Sequence, residues 1–174
     1  MNTHPDSGLI FLFQMLVSLI VLSVIWIWFA APYLKKRPAQ EQLSWLTIPL
    51  LFQFIELTTF VNSVVHEMPI AFAQVGAINL ITVPLAIALL WALRKDSRAV
   101  LPLAWILTLE GFVCGLATGY VGYVKNIVDH LGPHWYVGII YLPIQIMSHL
   151  FILYTLLTRG RELHSSARPP DRPL

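Results

Sequence analysis

Charge is what this chain has least of. Only 11% of its 174 residues are Asp, Glu, Lys or Arg, against about 25% in ordinary soluble domains, while 57% are hydrophobic. Folding on itself cannot hide that much apolar surface from water, so a soluble globular domain is excluded. Cys114 is the sole cysteine and lies in an apolar run, which excludes an intramolecular disulfide and a cysteine-built zinc site. Short runs alternating polar and apolar residues are missing, which excludes a membrane barrel. The opening residues MNTHPDSG carry no basic side chain, and the apolar run after them exceeds a usual signal-peptide core, so it is read as a permanent helix. The net charge of +2 is too small and too dispersed for a nucleic-acid partner.

What the chain does have is hydrophobic blocks about as long as a bilayer is thick, where roughly 20 residues at a 1.5 Å rise cross the hydrocarbon. Five are legible, at 9–33, 43–65, 71–93, 100–124 and 135–157. Lipid offers backbone groups no partners, so the spanning form is the helix. The expected fold is an all-α polytopic membrane bundle of five transmembrane helices. Residues 1–158 form one domain, because the connections are short. The polar, proline-rich stretch 159–174 is expected to be a disordered tail.

Basic residues occupy alternate connections: Lys35, Lys36 and Arg37, then Arg94, Lys95 and Arg98, then Arg159, Arg161, Arg168 and Arg172. Only Lys125 falls on the other side. The positive-inside rule therefore places the N-terminus outside and the C-terminus in the cytoplasm. Trp26, Trp28, Trp45, Trp91 and Trp105 gather near the basic ends of their helices, as rings at headgroup level do. Pro49 and Pro102 are expected in first turns, whereas Pro84 and Pro143 should kink their helices by freeing a carbonyl one turn back. Gly111, Gly115 and Gly119 repeat a small-xxx-small spacing that predicts a packing seam, inside the bundle or with a second protomer or another subunit.

Three ionisable residues fall inside the spans: Glu56, Glu110 and His149. Each costs on the order of 2.5–3.5 kcal/mol on insertion scales. Counted from the basic ends, all three lie roughly 13–18 Å deep, so they can meet in one layer. Gln53 and Gln145 belong to nearly the same layer, with Asn79 somewhat nearer the outside. Helical phase aligns Gln53, Glu56, Thr59, Ser63 and Glu67 on one side of the second helix, and Gly138, Tyr141, Gln145, Ser148 and His149 on one side of the fifth. Two carboxyls in a low dielectric cannot both ionise cheaply, so the layer permits acid–base chemistry beside a histidine.

Two readings follow. Glu56, Glu110 and His149 either form the polar centre of a pocket for an apolar small molecule or lipid, lined by Gln53, Asn79, Gln145 and Tyr141, or they simply hold helices together. A second polar group, His4, Asp6, His66, Glu67, Asp129, His130 and His134, lies outside. His130 and His134 suit a metal only on a helix, which Gly132 and Pro133 oppose. A haem on His66 or His149 is conceivable but demanded by no spacing. No metal and no cofactor are therefore assigned.

The acidic helix FQFIELTTFVNSVVHEMP, the basic hairpin LRKDSR and the last helix IIYLPIQIMSHLFILYTLL together resemble the four-helix core of the EXPERA group, which includes the emopamil-binding sterol isomerases and the sigma-2 receptor. The resemblance covers about two-thirds of the chain. It implies that Glu56 and Glu110 face a midplane pocket for a sterol-like or cationic amphiphilic ligand. The third segment here offers Asn79 in place of an acid, and an extra helix precedes the four. The chain also looks similar to small bacterial membrane proteins, which implies the bacterial inner membrane.

Overall fold

The computed structural model describes residues 7–55, 57, 60–61, 70–124 and 137–166. These are helical or lie in tight turns, and no strand occurs among them. Four helices are long and apolar enough to cross a membrane: Gly8–Lys35, Gly76–Arg94, Val100–Val121 and Gly138–Leu163. The protein is an all-α, multi-pass membrane protein.

Proline determines where the segments depart from α-helix. The first segment is α1 (Ser7–Ile25), a wider π turn over Trp26–Ala30, and α2 (Ala31–Lys35). Pro32 has no N–H to give the carbonyl four residues back. The chain widens ahead of it, so that the Ala31 N–H reaches Trp26 O, five residues back. The fifth segment repeats the device, with a π turn at Val137–Tyr141 just ahead of Pro143 and then α7 (Leu142–Ser166).

The second segment begins with α3 (Ala39–Thr47) and tightens into a 3₁₀ stretch over Ile48–Phe54. Because the helix starts at Ala39, Pro49 lies in its interior and not in a first turn, which corrects the sequence expectation. A seven-residue 3₁₀ run is long for a form that seldom exceeds three or four residues.

The third segment is α4 (Ile70–Asn79), a break at Leu80 and Ile81, and α5 (Thr82–Arg94). Pro84 strands the Leu80 carbonyl, and Val83 N donates to it instead at 3.3 Å. Only α6 (Val100–Val124) runs unbroken, with Pro102 in its first turn.

The buried apolar core lies toward the basic end, built on Leu43, Leu50, Leu89, Leu107 and Ile152, each fully buried. α7 packs on α6 and α3, and α6 also packs on α4 and α5. The first segment rests chiefly on the fifth, where Trp26 stacks on Phe151 with ring centroids 4.6 Å apart. Three buried hydroxyls are satisfied within their own helices: Thr47, Thr108 and Thr155 donate to the carbonyls of Leu43, Ala104 and Phe151.

The α5–α6 turn closes as a Schellman motif. Ser97 N donates to Ala92 O at 3.0 Å and Asp96 N to Leu93 O at 3.4 Å, which places Asp96 in the left-handed region with φ 46°. Asp96→Gly should therefore match or exceed the parent in thermal melts. Asp96→Val should lose about 1–2 kcal/mol, the left-handed penalty for a side chain branched at Cβ.

α7 continues to Ser166, so the first part of the expected tail is helical. Arg159 and Glu162, one turn apart, pair at 2.6 Å and carry the helix past Gly160. Residues 167–174 lie outside the described residues.

Candidate functional site

A polar layer sits where the apolar core ends. Glu110, on α6, faces the break in the third segment: Thr82 Oγ1 donates to its Oε1 at 2.7 Å and Cys114 Sγ donates to the same oxygen at 3.1 Å. Its other oxygen, Oε2, is buried with no partner among the described residues. No cation among the described residues pairs with it: their two ion pairs, Arg37–Glu41 and Arg159–Glu162, lie at the basic end.

His149 reaches the layer from α7. It is 3% exposed, and neither ring nitrogen has a partner among the described residues. Its imidazole lies directly over the Cα of Gly111, where a Cβ would collide with the ring. Gly111 therefore lets α6 and α7 approach closely enough to place His149 one residue along from Glu110. Gln53 lies on the 3₁₀ stretch, which packs on α5 and α7. It is fully buried, and neither its amide nitrogen nor its amide oxygen has a partner among the described residues.

Five of the six buried, unpartnered side-chain N and O atoms among the described residues belong to Gln53, Glu110 and His149. Each such group costs about 1–3 kcal/mol when left unpaired. Together they reach the size of a typical protein's whole stability, about 5–15 kcal/mol. The layer needs hydrogen-bonding partners that the described residues do not supply.

Two of the other expected pocket residues, Asn79 and Tyr141, are hydrogen-bonded. Asn79 is buried and accepts from Thr118 Oγ1 at 3.3 Å. Tyr141 Oη donates to Pro49 O at 3.4 Å, tying the π turn of the fifth segment to the irregular start of the second. Gln145 and Ser148 are buried on the same helix as His149. Glu56, Thr59, Ser63 and Glu67 lie outside the described residues, as do His66, His130 and His134. Among the described residues no group of three His, Cys, Asp or Glu side chains is placed to hold a metal.

Thr82 and Cys114 were missed by sequence reasoning, because neither is costly in lipid by itself. Cys114 could have been found one helical turn beyond Glu110, and Thr82 two residues ahead of the kink-forming Pro84. Of the glycine stripe, Gly111 is a seam residue inside the bundle, whereas Gly115 and Gly119 have nothing within 4 Å among the described residues.

Over residues 10–157 the chain matches the family described as a domain of unknown function, DUF8737. The chain belongs to that family. No curated protein and no solved structure matches it. The DUF8737 match takes in Gln53, Glu110 and His149 and ends before Arg159, so the polar layer lies within the shared part of the chain.

Proposed function

We propose that the Gln53, Glu110 and His149 layer is the polar end of an intramembrane pocket for an apolar small molecule of sterol, isoprenoid, quinone or lipid type, with Glu56, three residues beyond Gln53 in the sequence, as a further member. The unpartnered polar atoms carry this reading, since a ligand's polar group would pair them. The irregular backbone supports it too, because non-helical backbone at membrane depth is tolerated where it is buried in protein or lines a cavity. The sequence resemblance to the EXPERA group points the same way.

The reaction such a set supports is double-bond isomerisation. A protonated glutamate gives a proton to one carbon, and His149 or the other glutamate removes one from another. We infer an N-terminus outside and a C-terminus in the cytoplasm, which the alternating basic connections support, and a bacterial inner membrane, which the likeness to small bacterial membrane proteins supports.

Mass spectrometry of small molecules extracted from protein purified in mild detergent tests the pocket. A discrete apolar compound is expected in the parent and not in Glu110→Gln, which keeps an oxygen for Thr82 and Cys114 but cannot act as an acid. The same compound at the same stoichiometry in both proteins would refute the pocket reading.

The exposed Gly115 and Gly119 support a second reading, in which α6 docks a partner helix through its small residues. Native mass spectrometry separates the two. A scaffold gives a stable complex that Gly115→Leu disrupts, whereas a pocket protein gives a monomer with its compound, indifferent to that change.

A further inference from the structure

The basic end of the bundle holds two kinds of cation. Arg37 and Arg159 are used internally. Arg37 pairs with Glu41 at 3.3 Å and lies 4.6 Å over the Tyr33 ring. Arg159 grips Glu162 with two arms, at 3.0 and 2.6 Å, and its Nη1 donates to Arg37 O at 2.7 Å. Gln42 Nε2 adds bonds to Leu34 O at 2.8 Å and Arg37 O at 3.1 Å. The first connection is thereby clamped between the second and fifth segments.

Lys35, Lys36, Arg94, Lys95, Arg98 and Arg161 are different. All are exposed, and none has an acidic partner among the described residues. Of the described acids at this end, Glu41 and Glu162 are already paired, which leaves Asp96 as the one carboxylate free of an ion pair. Like charges gathered at one surface repel unless something neutralises them.

Their position says what does. Lys35 closes the span Gly8–Lys35 and Arg94 closes Gly76–Arg94, while Arg98 stands just ahead of Val100. Tyr33, Trp45 and Trp91, more than half exposed, lie beside them, where amphipathic rings mark the boundary between hydrocarbon and headgroups. Helix ends at that depth meet the phosphate plane of the bilayer.

We infer that this end binds the phosphates of anionic phospholipids, through the clamped Lys35–Lys36 connection with Arg161, and through the Arg94–Arg98 hairpin. Lysines act as point charges and arginines as forks that fit phosphate oxygens. The clamp holds Lys35 and Lys36 in place without using their charge. This inference is independent of the intramembrane pocket.

The test uses the full-length protein in neutral detergent, with bound lipid counted by native mass spectrometry as phosphatidylglycerol or phosphatidylcholine is titrated. Phosphatidylglycerol is expected to bind at tenfold or lower concentration than phosphatidylcholine, and to be released by salt as screening predicts. Lys35→Gln/Lys36→Gln/Arg161→Gln, which touches only exposed side chains, should weaken the Lys35–Lys36 site on the order of 100-fold, at the usual strength of a juxtamembrane cation, and leave the hairpin site as in the parent. Equal binding of the two lipids by the parent would overturn the inference without recourse to any variant. Unchanged phosphatidylglycerol binding in the triple variant would do the same, and so would full displacement by equimolar inorganic phosphate, which would point to a free anion.

Discussion

A Gln53→Met protein is expected to melt higher than the parent and to purify without its apolar ligand. Gln53 is fully buried and both polar atoms of its amide lack partners among the described residues, so without a ligand it carries a desolvation penalty that those residues do not compensate. Methionine has nearly the same shape and no such penalty. The gain should be about 1–3 kcal/mol, which raises a protein of this size by roughly 2–4 °C per kcal/mol. A residue whose removal stabilises the fold while abolishing binding is held there for function. Thermal melts and extraction mass spectrometry on the same preparations decide it. A clear fall in melting temperature with the compound still bound would mean that this side chain is structural and that the pocket lies elsewhere.

The parts of this layer that could be seen in the sequence are those that are expensive in lipid. Glu110 and His149 stand out in apolar runs, and counting 1.5 Å per residue from the basic ends places them at one depth. The same counting set the first, third, fourth and fifth spans close to where they lie. Legibility failed where meaning depends on a neighbour. Thr82 and Cys114 look unremarkable until Glu110 is placed between them. Pro49 was misjudged because Ala39–Gln42 reads as a polar loop, yet Ala39 and Gln42 are buried and begin the helix. The three glycines share one spacing, and spacing cannot say that one meets an imidazole while two face outward. Helical period gives the face that a residue occupies, not what is packed on it.

Those three glycines give the second large effect. Gly111→Ala is expected to destabilise the protein by about 1–3 kcal/mol, the usual cost of forcing extra volume into a close-packed site, and Gly111→Leu should prevent folding. The new Cβ would fall within the His149 ring, and that ring, 3% exposed, has nowhere to swing. Gly115→Ala and Gly119→Ala meet nothing within 4 Å among the described residues and should stay within about 0.5 kcal/mol of the parent, as surface changes do. Helix propensity alone would make alanine favourable at all three positions, so a loss confined to Gly111 reports the His149 contact and not the helix. A double-mutant cycle makes this specific: Gly111→Ala combined with His149→Ala should cost less than the two single changes added together, by 0.5 kcal/mol or more, because the clash disappears with the ring. Strict additivity would show that the imidazole does not rest on Gly111 in the membrane, and would remove the close α6–α7 approach that brings His149 to Glu110.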